Sequence, residues 1–118
     1  MKTAQVFKEG EATPVLQSVQ IADNLWTRFW GLMGRRDLAD YDGLLITASS
    51  SVHTMFMRFP IDVVYLGAEG RVIKISTVKP YRASVGRGGK QVLELAAGLA
   101  GDRGISVGDT LHVVVSEG

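Results

Sequence analysis

The sequence predicts an α+β fold that is mainly β: a small barrel-like or tightly packed antiparallel sheet of about seven short strands, with one amphipathic helix over about residues 23–33. Three observations carry this. Short apolar runs with a two-residue alternation recur along the chain. Fourteen glycines against three prolines supply many tight turns. One stretch alone repeats its apolar residues at helical spacing. The 118 residues make a single domain, large enough to hide roughly two-thirds of its unfolded surface in one core.

From Val15 to Ile21, Val15, Gln17, Val19 and Ile21 fall on one side and Leu16, Ser18 and Gln20 on the other, as in a half-buried strand. Asp23 is placed to cap a helix by accepting a first-turn N–H. Leu25, Trp26, Phe29, Trp30, Leu32 and Met33 then recur at helical spacing up to Gly34, a suitable stop. Arg28, Arg35 and Arg36 flank this helix. Asp42-Gly43 reads as a turn and Leu44-Leu45-Ile46 as a short buried strand. Val52 to Phe56 reads as extended until Phe59-Pro60 breaks it, since proline has no N–H for a ladder. Ile61 to Leu66 and Arg71 to Val78 form a hairpin around Gly67-Ala68-Glu69-Gly70. After the Gly86-Arg87-Gly88-Gly89 loop come a strand from Gln91 to Leu95, a helical turn over Ala96 to Ala100, the turn Gly108-Asp109 and a last strand from Leu111 to Val115.

Composition excludes several chemistries. Without cysteine there is no disulfide scaffold, thiolate zinc site, iron–sulfur cluster or thiol nucleophile. A net charge of +1 gives no bulk attraction to nucleic acid, and no nucleic-acid partner is expected. No apolar run approaches the roughly 20 residues that span a bilayer. No signal peptide is visible, so the expectation is a cytoplasmic location, or a periplasmic one if a signal has been removed. Arg71, Lys74, Lys79, Arg82, Arg87 and Lys90 form a basic run without acids, read as solvated strand edges and loop, with an anion-facing patch as the sharper alternative.

The candidate chemistry centres on His53 to Asp62. Strand alternation would put His53, Met55 and Met57 on one face, a possible soft-metal set. Methionine as core filler is the favoured reading, so no metal site and no cofactor are expected. Asp62, between apolar residues, must be hydrogen-bonded or ion-paired; Arg58, or the backbone of the Phe59-Pro60 turn, is a natural partner. Glu94 shares a face with Val92 and is expected at the surface rather than in a pocket. Asp62 with Glu94, or with His53, would be the acid–base candidates. Ser49, Ser50, Ser51 and Thr54 lack a nucleophile elbow. Gly88-Gly89-Lys90 lacks both the earlier glycine and the hydroxyl residue of a phosphate loop.

Gly31-Leu32-Met33-Gly34-Arg35, then HTMFMRFPIDVVYL from His53 to Leu66, then Val92-Leu93-Glu94-Leu95-Ala96-Ala97-Gly98, then Gly104-Ile105 and Gly108-Asp109 occur in this order. Together they resemble the bacterial and archaeal family called domain of unknown function 192, over about Ala22 to Val115. The resemblance implies a small β-rich, barrel-like domain with a helix, and no established activity or cofactor. Met33, Met57, Pro60, Asp62, Glu94 and Gly98 match its pattern.

The expected function is a non-enzymatic module binding a small molecule or peptide through Met57, Asp62, Glu94, Arg35 and Trp30. The alternatives are a small hydrolase or isomerase using Asp62 and Glu94, with His53 as a further candidate, and a partner protein acting through a strand edge. A monomer or weak dimer is expected.

Overall fold

The computed structural model describes residues 2–22, 42–53 and 59–116. Nine strands lie among them: β1 (Lys2–Lys8), β2 (Leu16–Ala22), β3 (Gly43–Thr47), β4 (Ser51–His53), β5 (Ile61–Leu66), β6 (Val72–Val78), β7 (Ala83–Val85), β8 (Gln91–Ala96) and β9 (Leu111–Ser116). A short helix, α1 (Leu99–Asp102), follows β8. The mainly β, α+β expectation holds. The helix expected at 23–33 lies outside the described residues.

Seven strands form one sheet in the order β6-β5-β8-β3-β2-β1-β9, and β4 pairs with β7 in a separate ribbon. The purely antiparallel expectation is corrected at one junction, because β2 and β3 run parallel. A parallel pair needs a long crossover, which residues 23–41 are long enough to supply. Asp42 fixes the entry to β3: its Oδ2 accepts the N–H of Gln17 at 2.8 Å and of Ser18 at 3.2 Å, tying the start of β3 to β2.

The sheet curls without closing into a barrel. Its edge strands meet near their starts, where Arg71 bridges to Thr110. There the Val72 N–H donates to the Asp109 carbonyl and the Gly108 N–H to the Val72 carbonyl, each at 2.8 Å. Beyond this point β6 and β9 diverge, since antiparallel continuation carries each past the other's turn. β1 and β7 are additions to the expected set. β1 turns only Ala4 and Val6 fully into the core, and β7 is three residues long, so neither offers much periodicity to read.

Both faces of the sheet are covered at its central strands. One buries Val6, Leu16, Leu45, Val64, Leu93 and Leu95, with Ala100 and Ile105 closing over them. The other buries Leu44, Ile46, Ile61, Val63, Tyr65 and Val92, with Val52 of β4 packed against them. Each fully buried Leu, Ile or Val contributes about 1.5–3 kcal/mol of transfer free energy. β5 is buried along its whole length, which is why its sequence is a continuous apolar run apart from Asp62.

Candidate functional site

β5 and β8 lie side by side in the sheet, and each carries one buried carboxyl. In their antiparallel register Asp62 stands opposite Leu95, and Val63 opposite Glu94. Directly opposed residues share a face and successive residues alternate. Asp62 therefore points to the face of Leu95 and Val64, and Glu94 to the face of Val63 and Tyr65. The sheet itself separates them, so they do not form the acid–base couple considered from sequence.

Asp62, 3% exposed, is fully engaged. Its Oδ1 accepts the Thr77 hydroxyl at 2.8 Å, and its Oδ2 accepts the N–H groups of Gly98 at 3.0 Å and Ala100 at 3.1 Å. The expected tie to the Phe59-Pro60 turn is corrected: the carboxylate holds the β8–α1 turn instead. That turn brings two backbone donors together because Gly98 has a left-handed φ of 89°, which glycine adopts without strain. Arg58 lies outside the described residues.

Glu94 reverses its expectation. It is 5% exposed rather than solvent-facing, because both faces of β8 are covered. It sits between Val63 of β5 and Leu44 of β3, its ladder partners on either side. Among the described residues nothing hydrogen-bonds to or ion-pairs with its carboxyl. Burial pushes its pKa up to about 8, so it is largely a neutral acid at pH 7. In that form it offers one O–H donor as well as acceptor oxygens.

Tyr65 lies on the same face and is fully buried. Its hydroxyl donates to Ser84 Oγ at 2.7 Å, linking the sheet to β7. Burial raises the phenol pKa, the Ser84 bond opposes the rise, and the negative charge of Glu94 adds to it. Lys74 Nζ stands 5.5 Å from the ring centroid and donates to the Val85 carbonyl at 2.7 Å. Gly86 passes so close to the ring that a Cβ there would fall 2.4 Å from it. Ala22, the last described residue before one gap, and Phe59, the first after the next, both pack in the apolar cluster of this face.

His53 ends β4, opposite Ala83 of β7, and only its backbone is described. Trp30, Met33, Arg35 and Met57 lie outside the described residues. Tyr65, Ser84 and Thr77 were not singled out from sequence. A tyrosine inside an otherwise aliphatic buried strand was the available signal, since its hydroxyl needs a partner. Among the described residues no three potential ligands of the His, Asp or Glu type gather as a metal site. No helix among them is long and apolar enough to cross a membrane.

A curled mixed sheet whose central strands bury one carboxyl on each face defines a small, mainly β domain. The chain belongs to the family described as "Uncharacterized ACR", domain of unknown function 192, whose model matches residues 5–113. It is 36% identical over 98 residues to a UPF0127 protein of Pyrococcus furiosus, covering 80% of this chain and 84% of that one. A UPF0127 protein of Pyrococcus abyssi is 30% identical over 111 residues, covering 91% and 95%. Two crystal structures share the fold at 24% identity. A protein of unknown function from Novosphingobium aromaticivorans has a TM-score of 0.79, covering 93% of this chain and 84% of its own. A Sinorhizobium meliloti protein, provisionally described as a transcription regulator, has a TM-score of 0.78, covering 95% and 92%.

Proposed function

We propose that this chain is a non-enzymatic binding module that receives a small molecule or peptide segment on the Glu94 face of its sheet. The observation that carries the reading is the buried Glu94 carboxyl, which has no partner among the described residues. Buried polar groups are almost always hydrogen-bonded, and an unsatisfied one costs about 1–3 kcal/mol. A ligand that meets it would recover that cost. Asp62 offers no such opening, because three donors already hold it. A neutral carboxyl both donates and accepts, so it complements an amide, whose carbonyl accepts and whose N–H donates.

A thermal-shift screen of small amides, metabolites and short peptides tests this on wild type, Glu94→Leu and Asp62→Asn. A ligand that stabilises wild type should lose its effect in Glu94→Leu. Asp62→Asn should start from a lower melting temperature and keep the ligand shift. An undiminished shift in Glu94→Leu would overturn the proposal.

A further inference from the structure

The two edges of the sheet are unlike. β6 carries Lys74 near its middle, the kind of charge that keeps an edge from pairing with another chain. β9 reads Leu-His-Val-Val-Val-Ser, with Val114 53% exposed and Val115 45% exposed. It pairs with β1 on one side, and among the described residues no strand pairs with its other side beyond the Arg71–Thr110 bridge.

The direction of each β9 backbone group follows from the ladder. The Glu9 N–H donates to the Thr110 carbonyl at 2.9 Å, so Thr110 directs its groups toward β1. The β1–β9 register runs without a bulge, and hydrogen-bonded pairs alternate in antiparallel ladders. His112, Val114 and Ser116 therefore also face β1, and Leu111, Val113 and Val115 face outward. Gly70 lies against the Leu111 carbonyl, where an added Cβ would fall 2.2 Å away, so the outer side is occupied at that point. Among the described residues nothing pairs with the N–H and C=O groups of Val113 and Val115 along this edge.

We propose that β9 pairs antiparallel with β9 of a second copy of this chain, about a two-fold axis at Val114, giving a dimer with one continuous sheet. The occupant follows from self-complementarity. Centred on Val114, the operator sets Val113 opposite Val115 of the copy as a hydrogen-bonded pair, and the reverse. Every outward group of Val113 and Val115 then finds a partner. Val113 faces the core side of the sheet, packed on its apolar cluster. Its cross-strand contact with the copy's Val115 extends that apolar surface across the interface. On the other face the two Val114 side chains meet at the axis, as a non-hydrogen-bonded pair with its closer side-chain approach. His112 falls opposite Ser116, so no like charges oppose each other. The same surface serves both copies, as a two-fold contact requires.

Sedimentation equilibrium through the micromolar range should show a dimer of the wild-type chain. Val114→Lys sets two ammonium groups against each other at the axis and should give a monomer with an unchanged circular dichroism spectrum. Because the chain has no cysteine, Val114→Cys introduces one thiol, which should form a disulfide-linked dimer under mild oxidation. Val107→Cys, at a loop position at least as exposed, should not. A monomeric wild type throughout this range, a Val114→Lys variant that remains dimeric, or cross-linking at Val107 as ready as at Val114 would each overturn the proposal. The cysteine pair keeps the test decisive if the lysine variant does not fold.

Discussion

Asp62 and Glu94 stand one register step apart on the adjacent strands β5 and β8 and project to opposite faces of the sheet. Their burial is nearly the same, yet their chemistry diverges. Asp62 meets a hydroxyl and two backbone N–H groups, whereas Glu94 meets an apolar surface. One is a structural clamp and the other is the polar group from which the binding proposal starts.

Asp62→Ala removes all three acceptor contacts and leaves the Ala100 N–H without its partner. It should destabilise the fold by about 3 kcal/mol, whereas Asp62→Asn, which keeps one acceptor oxygen, should cost about 1 to 2 kcal/mol. Urea denaturation measures both. A loss below about 0.5 kcal/mol for the alanine variant would contradict the clamp role.

Glu94 should make the stability pH-dependent in an unusual direction. Its folded pKa of about 8 lies above the usual 4.5, so the native state holds the proton more tightly than the unfolded chain. Its contribution is fully present below pH 4.5 and is lost as pH rises to about 8. The slope reaches at most about 1.4 kcal/mol per pH unit. Glu94→Gln cannot ionise, so its advantage over wild type should widen between these limits and level off above them. Parallel denaturation series across pH read this directly.

Tyr65→Phe deletes the bond to Ser84 and should cost about 1 kcal/mol. It loosens β7 from the sheet without opening a cavity. Faster amide hydrogen exchange should then appear at β4 and β7, with the β1–β2 pair unaffected.

Gly86→Ala and Gly98→Ala should fail for different reasons. At Gly86 the new methyl meets the Tyr65 ring, and overpacking of this kind costs about 1–3 kcal/mol. At Gly98 nothing lies within 4 Å of a Cβ, but the positive φ alone costs about 1–2 kcal/mol. A Tyr65→Ala background should relieve the first and leave the second unchanged, which a double-mutant cycle resolves.

Alternation and turn residues determined most of the strands. The hairpin of β5 and β6, the run of β8 and the last strand follow from apolar periodicity bounded by glycine, because side-chain period is a local property. The requirement that Asp62 have a partner was also legible, since a carboxylate among Ile61, Val63 and Val64 cannot stay buried alone. The identity of that partner was not. Thr77 and Gly98 reach Asp62 only because β6 and β8 flank β5, and strand order is set by long-range pairing that leaves no local trace. Glu94 was misplaced for the same reason. Alternation puts it opposite Leu93 and Leu95 but does not reveal that both faces of β8 are covered. Local pattern was enough for most of the extended segments and for the apolar residues of the core, because both follow from side-chain period. The tertiary structure alone decided that the two carboxyls face apart, because that depends on the register between two strands about 30 residues distant in the chain.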